Sequence, residues 1–275
     1  MAEVTVNGLK LHYRDTGGDG PPIVLVHGFT GNARNWALTV PALREKFRVI
    51  SPDHRGHGLS HKPKEIEAYQ LDALADDLYG ILQHLGVEHC YLAGHSMGGM
   101  VSQLLVLDHP ELVRALVLVD TAAEIPQALR AKERYEARQR LVRIAEERGM
   151  EAVFEEHLKA ETDPRVLENP QFVSVWREQF LMTSREAYIG GAHGMASRRS
   201  VVPRLKEIAV PTLVVCGEND APFLEASHVM HDAIPGSELV IIPGAGHTPQ
   251  IETPAAMGRR SSLSTVSPGT RAPGR

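Results

Sequence analysis

The pentapeptide Gly94-His-Ser-Met-Gly98 follows an apolar run over 89–93 and leads straight into an apolar helical pattern over 100–109. Strand, glycine-bracketed serine and helix in immediate succession predict a nucleophile elbow, G-x-S-x-G. Such a turn strains the serine backbone, and a Cβ at Gly94 or Gly98 would collide with the neighbouring strand or helix. The Ser96 hydroxyl then stands at the positive end of a helix, where negative charge developing on a substrate is stabilised.

A serine hydroxyl is a poor nucleophile until a base takes its proton and a third group orients that base. In a strand–elbow–helix architecture these follow in the chain order serine, acid, histidine. The buried strand pattern Val210–Cys216 runs into Gly217-Glu-Asn-Asp220, and Leu239–Ile242 runs into Pro243-Gly-Ala-Gly-His247. Asp220 and His247 therefore lie past the carboxyl ends of parallel strands, where open α/β sheets place their sites. Asp120, at the end of the strand 115–119, and Glu218 compete with Asp220 for the acid role. An oxyanion hole needs the amide after the nucleophile and one from a loop after an early strand. Here those are Met97 and Phe29, the latter following the strand Pro22–Val26 and the turn His27-Gly28. His27 is read as a buried residue that shapes this loop.

The elements needed to position these groups can be traced along the chain. Val4, Val6, Leu9, Leu11 and Tyr13 alternate about Asn7-Gly8, a hairpin signature. Strands follow near 23–27 and 47–51 with a helix near 33–45 between them, then a leucine-striped helix near 70–86. Strands at 89–93 and 114–119 flank the helix that the elbow begins. This alternation predicts an α/β fold: a mostly parallel twisted sheet covered by helices on both faces.

The pattern breaks near 121 and resumes near 208. Charged amphipathic helices at 126–148, 150–161 and about 170–190 fill the gap and predict a helical cap inserted between core strands. Residues 1–120 and 208–257 form the core on this reading, and 121–207 the cap. Trp176, Phe180, Met182 and Tyr188 are candidate walls of an acyl pocket, and Gly190–Gly194 a hinge or pocket edge. Residues 258–275, rich in Ser, Pro, Gly and Arg and without an acid, read as a disordered tail.

The segments His27-Gly-Phe29, Asp53-His-Arg-Gly-His-Gly-Leu-Ser60, Gly94–Gly99, Pro211–Asp220 and Gly246-His247 jointly resemble the α/β-hydrolase superfamily. They are similar to its branch of capped esterases, enol-lactonases, carbon–carbon-bond hydrolases and cofactor-free perhydrolases. Serine at the elbow separates the chain from relatives with aspartate there. The resemblance implies that Asp53–Ser60 is a bracing loop, so His54, His57 and His61 are not read as metal ligands. The reading is a serine hydrolase of carboxylic esters without metal or organic cofactor, and the helical cap with modest aromatic content suggests small to medium acyl chains. Lactonase or carbon–carbon hydrolase chemistry is the alternative, for which Arg34, Arg130 and Arg185 are candidate carboxylate binders. A hydrolase-like small-molecule receptor is a third reading.

The chain has 275 residues, 43% of them hydrophobic, and a net charge of −5. That suits one large α/β domain and gives no support for nucleic-acid binding. The two cysteines, Cys90 and Cys216, sit in apolar strand patterns and read as core residues. The N-terminus enters a strand pattern directly, with no apolar signal or membrane segment, which leads to the expectation of a cytoplasmic enzyme with a small-molecule ester substrate.

Overall fold

A computed structural model describes residues 2–130, 132–161 and 164–255. The expected tail, 258–275, lies outside the described residues. Eight strands form one sheet: β1 (Ala2–Val6), β2 (Leu9–Asp15), β3 (Pro22–Val26), β4 (Arg48–Pro52), β5 (Cys90–His95), β6 (Val113–Val119), β7 (Thr212–Gly217) and β8 (Glu238–Ile242). Their spatial order is β1-β2-β4-β3-β5-β6-β7-β8. The β1–β2 and β2–β4 pairs are antiparallel and all others parallel. Asn7 and Gly8 both have positive φ, 51° and 76°, which is the backbone a two-residue hairpin turn demands.

The central strands β3 to β7 bury both faces because they are apolar at successive positions. Along β3, Val24 and Val26 join a core on one side, and Ile23 and Leu25 a second core on the other. The helices are α1 (Val40–Leu43), α2 (Leu71–His84), α3 (Met97–Asp108), α4 (Gln127–Arg130), α5 (Lys132–Ala160), α6 (Pro164–Leu167), α7 (Pro170–Leu181), α8 (Arg185–Ser197), α9 (Ala221–Ala233) and α10 (Pro249–Glu252). Leu71, Leu74, Leu78 and Leu82 of α2, with Val101 and Leu105 of α3, fill the first core. Trp36, Phe47 and Ala245 belong to the second.

Helices α4 to α8 are inserted between β6 and β7 and have an apolar centre of their own, with Val153, Phe154, Phe180 and Tyr188 buried in it. Three sequence expectations change here. The helix expected over 33–45 is a short 3₁₀ turn, Ala33–Trp36, followed by α1, since Pro41 brings no amide to a continuous helical ladder. The helix expected over 170–190 is two, α7 and α8, because Ser184 caps α8 through Ala187 N and ties its own amide to Gly56 O. The hinge expected at Gly190–Gly194 is the middle of α8. A Cβ at Gly190 would fall on Ile66 O, and one at Gly191 would lie 2.9 Å from the Phe29 ring. These glycines permit close packing, not motion. Gly149, φ 78°, turns α5 where the sequence places a boundary between two helices.

Candidate active site

The elbow is built by the end of β5 and the start of α3. Ser96 has φ 52° and ψ −118°, a conformation that costs a non-glycine residue free energy and persists only where the surroundings fix it. They do so through hydrogen bonds. Ser96 N donates to Val119 O at 2.9 Å, and Ser96 O accepts from Thr121 Oγ1 at 2.7 Å as well as from Gly99 N and Met100 N. Gly98 lies so close to β3 that a Cβ would strike the carbonyl oxygens of Val26 and His27.

The ends of β7 and β8 bring the other two groups to this serine. Glu218 N donates to Ile242 O, and Asn219 N to Ala245 O, stitching the two loops together. His247 Nε2 lies 3.0 Å from Ser96 Oγ, and Nδ1 lies 2.6 Å from Asp220 Oδ2. Because a carboxylate only accepts, Nδ1 carries the proton and Nε2 is left to receive one from the serine. Glu218, a competitor for the acid role, instead accepts from Gly244 N at 2.8 Å. Asp120 accepts from Gly217 N at 2.8 Å behind Asp220 and makes no hydrogen bond to His247.

Three supports of His247 are residues to which the sequence assigns no role. His95 Nε2 donates to His247 O at 2.7 Å, and burial pushes the His95 imidazole down to about 3, which keeps it neutral. The Phe223 ring stands 4.8 Å from the imidazole, centroid to centroid. Glu252 binds the backbone on both sides of His247. An acid after the histidine was the one readable signal among them.

Met97 is the first residue of α3, so its amide has no intrahelical acceptor. The Phe29 loop lies against the serine, since a Cβ on Gly28 would stand 3.1 Å from Ser96 Cβ. His27 fixes that loop. Nδ1 donates to Gly28 O at 2.8 Å while Nε2 accepts from His54 N at 3.0 Å. Below it, Asp53 accepts from Ala33 N, Leu59 N and His12 Nδ1. Burial would raise this carboxyl, but the hydrogen bond from His12, the His27 ring and the two amides together hold it below its ordinary value. His54 and His57 are buried in the same loop; desolvation first, then the neighbouring imidazoles, lower them, His57 to about 3. Arg55 clasps Asp77 with two hydrogen bonds, at 2.6 and 2.7 Å.

The candidate wall residues lie in the insertion. Tyr188 stacks on Phe29 with ring centroids 5.1 Å apart and planes 29° apart. Phe180 is buried in the insertion's own centre, and Trp176 meets Phe154 edge-on at 5.0 Å. Met182 Sδ is 3.9 Å from Asn32 Nδ2. Each arginine considered for carboxylate binding has an acidic partner: Arg34 with Glu178, Arg130 with Glu124, Arg185 with Glu186.

The alpha/beta-hydrolase-fold family profile matches residues 21–254. The chain belongs to the alpha/beta-hydrolase family. This alpha/beta hydrolase is 28% identical over 261 residues to 3-oxoadipate enol-lactonase 2 of Acinetobacter baylyi, covering 92% of each chain. Among solved structures it is similar to the enol-lactonase from Burkholderia xenovorans LB400, with TM-score 0.85, 29% identity and coverage of 96% of this chain and 98% of that one. It also resembles a thermophilic esterase from Thermogutta terrifontis, with TM-score 0.82, 32% identity and the same coverage. Among the described residues of this hydrolase, no helix is long and apolar enough to cross a membrane.

Proposed function

We propose that this alpha/beta hydrolase cleaves carboxylic esters of small to medium acyl chains through a serine acyl-enzyme. The observation that carries the reading is the chain of contacts Ser96 Oγ to His247 Nε2, 3.0 Å, and His247 Nδ1 to Asp220 Oδ2, 2.6 Å, on a strained elbow. His247 takes the hydroxyl proton as Ser96 Oγ attacks the acyl carbon, and Asp220 holds the imidazolium that forms. The carbonyl π pair moves onto oxygen, between the amides of Phe29 and Met97. As the tetrahedral species collapses, the carbon–oxygen bond to the alcohol breaks and His247 gives the leaving oxygen its proton. Water, deprotonated by the same imidazole, then releases the acid and restores Ser96 Oγ–H. The helical insertion caps this site, and Trp176, Phe180, Met182 and Tyr188 wall the acyl pocket; the Tyr188–Phe29 stack supports that arrangement. One solved relative above is named an enol-lactonase and the other an esterase, which supports ester cleavage.

The test is turnover of p-nitrophenyl esters of increasing acyl length, with a lactone series beside it, by the wild type and by Ser96→Ala. Turnover that the substitution removes, with an optimum at short or medium chains, is the expected outcome. A folded wild-type protein that leaves every ester intact would overturn the reading, and turnover of lactones alone would move it to the cyclic substrates.

A further inference from the structure

Asp120 is the buried acid that the mechanism above leaves unused. It closes β6 with φ 43°, in the left-handed region that non-glycine residues seldom occupy. Its amide donates to Val215 O at 2.9 Å, so the corner is tied to β7. The side chain is fully buried. Oδ1 accepts from Gly217 N at 2.8 Å, while Oδ2, equally buried, meets no hydrogen-bond donor among the described residues. What lies beside it is Asp220, with Cys216 completing a buried trio in which one polar atom from each side chain lies within 4.8 Å of the others.

Two carboxylates that close in a dry interior do not both stay charged; one keeps its proton. Asp220 has the Nδ1–H of His247 to balance its charge, whereas Asp120 is met by the uncharged Gly217 amide on Oδ1 and the weakly donating Cys216 thiol. We infer that Asp120 carries a proton on Oδ2 and donates it to the Asp220 carboxylate, so that the acid behind His247 is a carboxyl pair with a single negative charge. Asp120 is thus a positioning residue that acts through Asp220, and the inference rests on reading Asp220 as the acid of the triad. Desolvation, opposed by the Gly217 amide and reinforced by the charge of Asp220, raises Asp120 to about 9. The groups facing it are few: Cys216 from β7, whose thiol is itself pushed up by burial, Asp220 from the following loop, and uncharged Ser227 from α9 near that thiol. His95 on β5 is neutral and turned toward His247 O.

Infrared titration of the full chain without substrate tests this directly. The wild type shows a carboxylic-acid C=O band at neutral pH that fades as pH rises through about 9, and Asp120→Asn lacks it. Absence of any such band overturns the inference, whatever the protein does to esters. Should Asp120→Asn fail to fold, the wild-type titration alone decides. The acid limb of kcat/KM gives the second reading. Asp120→Ala leaves Asp220 without its donor, strengthens it as a partner for imidazolium and moves the limb to higher pH. Asp120→Asn supplies an amide donor without changing the charge and returns the limb to within about 0.3 pH unit of the wild type, because no charge has been added or removed. A limb that falls by about one unit in Asp120→Asn means a charged Asp120 and overturns the inference. So does a limb that neither variant moves, which is what a purely structural residue would give.

Discussion

Glu252 grips the loop of His247 from both sides. Oε2 accepts from Gly246 N at 2.6 Å, and Oε1 accepts from Thr248 N and Thr248 Oγ1, both at 2.9 Å. Hydrogen bonds to a carboxylate are each worth about 1.5–3 kcal/mol, and these set where the imidazole stands relative to Ser96 and Asp220.

Replacing Glu252 by Ala should therefore lower kcat/KM by about 10- to 100-fold, mostly in kcat, since misplacement of a reacting group by about 1 Å costs on that order. Glu252→Gln keeps one carbonyl acceptor and should lose less. Steady-state kinetics with one p-nitrophenyl ester would show it. A variant with lowered Tm and untouched kcat would mean that the clamp serves stability alone.

Gly217 makes the equivalent demand from the acid side. A Cβ there would stand 2.6 Å from Ala245 O and closer still to Gly246 O, with no flexible side chain to yield. Gly217→Ala must push the end of β7 away from the histidine loop and draw Asp220 from His247. Overpacking of this kind costs about 1–3 kcal/mol, and in a chain of this size a Tm loss of about 3–10 °C follows. Activity at a temperature where the variant is fully folded should fall by about 100-fold or more. Undiminished activity at that temperature would refute the geometric argument.

Much of this arrangement was legible in the residues. The apolar runs, the Asn7-Gly8 turn and the glycine-bracketed serine gave the strands, the hairpin and the elbow because each depends on local backbone chemistry. The sites of Asp220 and His247 followed from strand ends. What stayed hidden depends on tertiary approach. Gly190 and Gly191 read as flexible because sequence does not reveal that Ile66 O and the Phe29 ring press against them. Ser184 divides α7 from α8 partly through Gly56 O, a partner far away in the chain. The neighbourhood of Asp120 and Asp220 was likewise unreadable: two acids at the ends of two strands become a pair only when β6 and β7 lie side by side.

The buried histidines set the acid stability of the fold. His27, His54, His57 and His95 are all held below their ordinary 6.5, chiefly by desolvation, and His57 and His95 down to about 3. Between those values the unfolded chain takes up protons that the folded one refuses, so stability rises with pH and drains away as pH falls below 6.5. Each of His57 and His95 contributes a slope of about 1.4 kcal/mol per pH unit over that window, and His27 and His54 act in the same direction. Asp53, lowered in the folded state, loses its contribution further down in the same direction. Asp120, raised, opposes them by binding a proton that the unfolded chain releases, but it is one group against four. Tm should fall steadily from about pH 7 to about pH 4, and His57→Asn, which has an amide donor for Arg55 O, should flatten the slope. A flat Tm profile across that range would contradict the neutral-histidine account.

Tyr188 ties the insertion to the Phe29 loop, and its ring and hydroxyl can be tested apart. The ring stacks on Phe29, while the hydroxyl is 3.4 Å from His157 Nε2, long for a hydrogen bond. Tyr188→Phe removes only that contact and should change stability by less than about 1 kcal/mol, with acyl preference intact. Tyr188→Ala deletes a buried aromatic ring, a loss of about 3–5 kcal/mol, and frees the face of Phe29. The amide of Phe29 then loses its fixed position, so kcat should drop by about 10-fold. The vacated volume should move the chain-length optimum toward longer acyl groups. Rates across a p-nitrophenyl ester series, normalised to folded protein, separate the two effects. A uniform fall with an unchanged optimum would place Tyr188 outside the acyl pocket and leave it only the role of packing the insertion onto the core.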